Sequence, residues 1–259
     1  MATRAIWRDI ILFAGLIVGA GWLLVLSGQH LGYNWQWYRV PSFLFLVEEG
    51  RVIPAPLVEG LAFTIQVSAV SFLAAVAFGV ITTAMTLSDS VMGRLLSRGY
   101  LEAVRNTPLL VQIYLIYFVV GPFVGLGRFE SAVLALALFE GTYLSEIFRA
   151  GLVSIQRGQR EAAYGLGLSL GDTYRFVLIP QAVRRILPPL TGETISLIKN
   201  SSLVSLVSLA DLSMNARILA SDTFLTFEVW FTTAALYLLI TVPLSLTVYA
   251  LERRFKVVS

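Results

Sequence analysis

From Leu57 to Leu87 the chain is almost unbroken in apolar residues. Similar runs recur at Ile10 to Leu26, about Tyr100 to Val120, about Glu130 to Ala150, about Thr191 to Ala210 and Glu228 to Leu251. A helix of about 20 residues crosses the roughly 30 Å hydrocarbon core of a bilayer. Backbone in hydrocarbon has no water to bond, so each run must close its own hydrogen bonds as a helix. The spacing therefore predicts an all-α membrane protein with about six transmembrane helices, residues 1–259 forming a single transmembrane domain. Composition agrees: 57% of the residues are hydrophobic and 14% charged, where a soluble domain would be about a quarter charged. Ile10 to Leu26 is short for a span, but it is flanked by Arg4 and Arg8 and extends through Ser27 and Gly28. No small-x-small cleavage site follows at Leu26-Ser27-Gly28-Gln29, so the run reads as a first span and not as a signal peptide.

Several chemistries are excluded by missing residue types. There is no cysteine, which removes thiol catalysis, disulfides and cysteine-ligated metals. The lone histidine, His30, sits in a loop without partner ligands and reads as an ordinary polar residue, so no metal site is expected. The only lysines are Lys199 and Lys256, and neither follows a GxxxxG phosphate loop, so this chain cannot hold ATP in a Walker site. The net charge of +3 is not gathered into the basic patch that a nucleic-acid partner requires.

The basic residues follow membrane orientation instead. With the N-terminus inside, the inner segments carry Arg4, Arg8, Arg94, Arg98, Arg105, Arg149, Arg157, Arg160, Arg175, Arg184, Arg185, Arg253, Arg254 and Lys256. The outer segments carry only Arg39, Arg51, Arg128 and Arg217, and Lys199 lies within a span. The positive-inside rule puts both termini and the segment 151–190 in the cytoplasm. Residues 29–56 lie outside on this reading. Tyr33, Trp35, Trp37 and Tyr38 favour the membrane–water interface there, and the segment is expected to hold a short amphipathic helix or, equally, to pack its rings against the bundle as a loop.

Within this apolar chain, Glu161 to Pro180 reads EAAYGLGLSLGDTYRFVLIP. Glu161-Ala162-Ala163 is expected to continue a helix entered from Arg149. Gly165 and Gly167 weaken it and permit a left-handed turn. Ser169 and Asp172 are candidate N-caps for a second helix, Thr173 to Ile179. Pro180 with Pro188-Pro189 is expected to interrupt the chain beyond that helix. As a bare pattern this is a solvated helical hairpin between two spans.

The spacing resembles the EAA loop of ABC transporter permeases, with Gly167, Val177, Ile179 and Pro180 at that family's glycine, apolar and proline positions. Arg105-Asn106-Thr107-Pro108-Leu109-Leu110-Val111-Gln112 is similar to the RxTPLLVQ stretch of the polar amino acid branch. Gly141 to Arg149, GTYLSEIFR, resembles the span leading into its loop, with Thr142 where alanine is frequent. The matches run from Arg105 to roughly Asp211. The resemblance implies the transmembrane subunit of a type I importer in a bacterial inner membrane, taking up polar amino acids. It implies two permease chains, identical or paralogous, on ABC ATPase subunits that bind ATP and Mg, with no cofactor on this chain. A periplasmic or extracellular solute-binding protein would deliver the substrate. Glu161, Ala162, Ala163, Gly167, Asp172 and Pro180 would belong to the coupling segment that docks on the ATPase.

Ionisable groups at bilayer depth cost about 2.5–3.5 kcal/mol each on insertion scales, so they are read as functional or paired. Glu140, Lys199 with Asn200, and Arg105 with Glu102 are the places singled out. Arg105 reads equally as a helix-end partner of Glu102 and as a substrate contact. Pro108 frees a carbonyl near Val104, and a break lined by Asn106 and Thr107 would present polar groups to a solute. Glu146 and Arg149 share a face and read as a structural pair, and Ser201, Ser205 and Ser208 as a small-residue packing stripe. Glu140 and Lys199 are expected to pair across a cavity in the empty state or else to form a permanent bridge between spans. The substrate-pathway candidates are thus Arg105, Asn106, Thr107, Glu140, Lys199 and Asn200. Two other classes fit less well. An ion- or proton-coupled secondary carrier would often show an inverted repeat, and none is seen; a scaffold that merely recruits an ATPase has no need of the polar groups.

Overall fold

A computed structural model describes residues 14–16, 18, 19, 22 and 33–254. The expected first span, Ile10 to Leu26, otherwise lies outside the described residues. Two compact units divide at Arg39 and Val40. In the first, Tyr33 meets Trp35 edge-on at 5.0 Å, and the Trp35 and Trp37 rings stack at 5.9 Å.

The second unit opens with a five-residue helix, α1 (Val40–Leu44), and an antiparallel hairpin of β1 (Phe45–Glu48) and β2 (Arg51–Pro54). The hairpin was not expected from the sequence. Glu49 and Gly50 both take positive φ, 50° and 77°, as a two-residue hairpin loop requires. The Pro54 ring removes a donor and closes the strand.

Helix α2 (Pro56–Leu87) starts with proline at its first position, where no intrahelical donor is lost. The Ser90 hydroxyl accepts from Gly93 N at 3.1 Å to cap α3 (Val91–Arg105). Helix α4 (Leu109–Val124) leaves α3 at 107° and widens into a π-turn over Leu115–Val120. Then come α5 (Arg128–Val153), α6 (Arg157–Gly165), α7 (Leu170–Val207), α8 (Leu212–Thr223), bent 53° from α7, and α9 (Thr226–Arg254). Among the described residues α2, α5 and α9 are long and apolar enough to cross a membrane, and the count reaches five if each bent pair is one span.

The break expected within Tyr100 to Val120 falls at Asn106-Thr107-Pro108, where Pro108 cannot continue α3. Two sequence expectations are corrected. The helix from Arg149 does not run on to Glu161; it ends at Val153, and α6 starts afresh at Arg157. Pro188 and Pro189 do not interrupt α7, which is helical from Ile179 to Asn200. Proline within a span is tolerated when side chains and neighbouring helices satisfy the freed groups. Pro180 is absorbed in the same way, directly after a π-turn at Thr173–Leu178.

The central packing is α2 against α5. Water offers no drive for helix association inside a bilayer, so close approach through small residues takes its place. A Cβ on Gly141 would lie 2.8 Å from Phe78 Cβ and 3.1 Å from Tyr100 Oη; one on Gly79 would lie 2.9 Å from Leu144 Cβ. Thr83 donates across the interface to Ser145 O at 2.9 Å, and Tyr100 ties α3 to α5 through Leu138 O at 2.5 Å. Around this contact Val67, Ile113, Leu136, Leu197 and Val204 form the principal core. Gly141→Ala should destabilise the protein by about 1–3 kcal/mol through overpacking. Gly99→Ala, with open space around it on α3, should stabilise it by about 0.5–1 kcal/mol. Thermal unfolding in detergent reads both, and equal midpoints for the two variants would contradict this packing.

Candidate functional site: a broken span, a buried acid and a rigid hairpin

The break between α3 and α4 is built by Asn106-Thr107-Pro108. The Asn106 amide donates to Glu102 O at 2.8 Å and Glu102 Oε2 at 3.0 Å, and the Thr107 hydroxyl donates to Ala103 O at 2.8 Å. The carbonyl that Pro108 sets free is not left open. Gln112 Nε2 donates to Val104 O and Thr107 O, each at 2.8 Å, so one side chain closes the break. Arg105 turns away from Glu102: it donates to Thr142 O at 3.2 Å and reaches Glu146 at 3.4 Å. Glu146 also accepts from Arg149 at 2.7 Å, which fixes the expected structural pair and adds Arg105 to it.

Glu140 is 2% exposed, and Asn200 Nδ2 donates to its Oε1 at 2.9 Å. The expected Glu140–Lys199 pair is not made among the described residues. Successive helical residues point about 100° apart, so one position separates the group that faces α5 from the one that does not. Lys199 is exposed; Glu193, a residue that sequence reasoning passed over, is half-buried on the same helix, and its carboxyl faces Glu140. Its spacing of two helical turns from Asn200 would have flagged it. Asp211 was likewise missed; it is fully buried and accepts from Met214 N at 2.9 Å and Ser213 N at 3.2 Å, capping α8. In the small-residue stripe, Ser201 and Ser205 are buried, with Ser68 donating to Ser201 at 3.3 Å, whereas Ser208 leaves the helix in a left-handed turn.

At the far end of α5 stands the polar hairpin. Helix α6 closes in a Schellman arrangement: Leu168 N donates to Ala163 O at 3.1 Å and Gly167 N to Tyr164 O at 2.9 Å, with Gly167 at φ 77°. Ser169 then caps α7. Its hydroxyl accepts from Asp172 N at 3.1 Å and donates to Asp172 Oδ2 at 2.6 Å. Ala163 is the buried anchor of α6, while Glu161, Ala162 and Pro180 are exposed. The Glu161 side chain makes no hydrogen bond or ion pair among the described residues and caps no helix. The hairpin is braced on α7. Arg185 donates to Ser154 O and to Ser154 Oγ, and Ile155 packs on Leu178 and Ala182.

A bundle with a span broken around polar groups and a braced polar hairpin at one end has the architecture of a membrane transport component. The family described as "Binding-protein-dependent transport system inner membrane component" matches residues 75–257, and the chain belongs to it. Over 204 residues it is 32% identical to the glutamine transport system permease protein GlnP of Escherichia coli K12, covering 78% of this chain and 93% of that one. It is 36% identical over 216 residues to the L-cystine transport system permease protein TcyB of Bacillus subtilis 168, covering 79% and 92%. Among solved structures, an amino acid ABC transporter crystallised with histidines matches with a TM-score of 0.70 at 36% identity, over 77% of this chain and 94% of that one. The MetNI methionine ABC transporter shares the fold at a TM-score of 0.60 and 18% identity. The protein is the permease component of an amino acid ABC importer, a multi-pass protein of the inner membrane.

Gln112→Leu would leave the carbonyls at the break without their shared donor. It should cost about 1–3 kcal/mol, read as a lowered unfolding midpoint in detergent. An unchanged midpoint would mean that the break is satisfied some other way.

Proposed function

We propose that two such chains, identical or paralogous, line a pathway for polar amino acids and turn ATP hydrolysis on separate subunits into alternating access. The observation that carries this reading is the hairpin. Glu161 and Ala162 project from a short helix locked at one end by the left-handed Gly167 and braced at the other by Arg185. A surface so held moves as a body with α5 and α7 and transmits displacement without absorbing it. ATP and Mg would be held by the ATPase partners, and this chain would perform no covalent chemistry. The hairpin and both termini would lie in the cytoplasm, and a solute-binding protein would load the opposite side. The names of the relatives, which handle glutamine and cystine, support a polar amino acid as cargo.

Polar groups left uncovered at membrane depth support the pathway. Lys199 is exposed and Glu193 half-buried on α7, and at the break Asn106 is exposed and Thr107 half-buried. Charged groups at that depth face protein or water and not lipid. Arg105, Asn106, Thr107, Glu140, Lys199 and Asn200 thus remain the pathway residues, with Glu193 added. In reconstituted vesicles with the ATPase and binding protein, Glu161→Lys and Gly167→Pro should insert normally and still permit ATP hydrolysis. Their uptake should fall by about tenfold or more. Normal uptake by both variants, or uptake driven by an ion gradient with no ATPase present, would overturn the proposal.

A further inference from the structure

At the end of the bundle that carries the polar hairpin, α2, α5 and α7 leave an open cavity of about 500 Å³ between them. Ligand cavities occupy roughly 300–1,000 Å³. Nine of its twelve lining residues are hydrocarbon, Leu87, Phe148 and Val183 among them. Thr83 and Ser88 also line it, but the Thr83 hydroxyl is shared between Gly79 O and Ser145 O, and that of Ser88 donates to Met85 O. An amino acid zwitterion would leave its charges unmet in such a cavity. The wall is continuous with the core that roots the hairpin: Leu152, Tyr174, Ala182 and Ile186 belong to both.

The rim of this cavity is positively charged. Arg94 Nη1 donates to the carbonyl of the lining residue Ser88 at 2.8 Å, which holds the guanidinium there with its other donors unused. Among the described residues neither Arg94 nor Arg98, one turn further along α3, makes an ion pair, and Asp89, between α2 and α3, bridges to neither. Around the circumference of α3, Ser97 and Leu101 are buried, Met92, Leu95 and Leu96 are exposed on a second side, and Arg94 and Arg98 lie on a third. With α4 crossing the bilayer, the 107° turn between the two helices lays α3 near the membrane plane. In that setting an apolar side meets acyl chains and arginines meet headgroup phosphates.

Resting on the permease reading above, we propose that the α2–α5–α7 cavity is a site for an anionic phospholipid of the inner leaflet. An acyl chain fills the cavity, and Arg94 binds the headgroup phosphate through the donors that Ser88 does not use. A zwitterionic lipid carries its own cation beside the phosphate and gains less from Arg94. Because the acyl chain packs on Tyr174, Ala182 and Ile186, its presence stiffens the root of the hairpin and raises the share of ATP hydrolysis that ends in uptake.

The test places the purified permease–ATPase complex in bilayers of phosphatidylglycerol and phosphatidylcholine and identifies, by native mass spectrometry, the lipid retained after mild detergent extraction. Phosphatidylglycerol should be retained at least about tenfold over phosphatidylcholine. Arg94→Gln should bring the two lipids to within about threefold, whereas Arg94→Lys should keep the preference. Ala84→Trp, which fills the cavity from its exposed side, should displace both lipids and keeps the readout should Arg94→Gln fail to fold. Equal retention of the two lipids in the unaltered complex would overturn the proposal, as would a preference that survives both Arg94→Gln and Ala84→Trp. So would a cross-link from a thiol at position 84 to a second copy of the chain or to residues 10–26, since protein would then fill the cavity. In vesicles with the binding protein, uptake per ATP hydrolysed should rise at least about threefold when phosphatidylglycerol is added to phosphatidylcholine. ATP-driven uptake indifferent to the lipid would sink this inference and leave the permease reading intact. Absence of ATP-driven uptake in every lipid would sink the permease reading itself.

Discussion

Helices α2 and α5 approach until Gly79 and Gly141 face Leu144 and Phe78 with no room for a methyl group. In a bilayer such contact replaces the hydrophobic drive that water would supply, and its hydrogen bonds, Thr83 to Ser145 O among them, pin the register. Every functional feature hangs from α5. Glu140 precedes Gly141 and is buried with its carboxyl against Asn200 of α7. Glu146 and Arg149, one to two turns further on, gather Arg105 from the break in the neighbouring span. Where α5 ends, Ser154 receives Arg185 and fixes the hairpin.

Two kinds of polar group are thereby distinguished within one apolar chain. Those at the break are satisfied locally: Gln112 closes the Val104 and Thr107 carbonyls, and Asn106 and Thr107 bond back to their own helix. They hold a bent backbone in shape. Those between α5 and α7 are satisfied across the helices: Asn200 donates to Glu140, whose carboxyl also faces Glu193. The first kind shapes the span, and the second joins two helices.

The helices α2, α5 and α9 were legible because long apolar runs have one stable backbone in hydrocarbon. The position of the break was legible too, since Pro108 cannot donate. That Gln112 would close it was not, because a contact between residues eight apart across a bend depends on the angle of the bend. Glu140 was recognised and its partner misassigned: a single residue step turns a helical side chain by about 100°, and the step from Lys199 to Asn200 decides which faces α5. Glu193 was missed because the expected span began at Thr191, which put it at a helix end, while the helix in fact runs on through Pro188 and Pro189 and carries it in its interior. The hairpin at Phe45–Pro54 escaped because its turn, Glu49-Gly50, sits in a stretch whose aromatics suggested an interfacial helix. In the coupling segment Gly167 and Ser169 behaved as their residue types require.

The central claim is that the α6 hairpin receives mechanical work from a different polypeptide. Because the chain contains no cysteine, a single thiol can be placed at Ala162 without background. Ala162→Cys, treated with a short bifunctional thiol reagent in the assembled complex, should cross-link to the nucleotide-hydrolysing subunit with a yield that changes between nucleotide-free and ATP-bound states. Absence of any cross-link from position 162, with a thiol placed on the β1–β2 hairpin linking to that same subunit, would contradict the account.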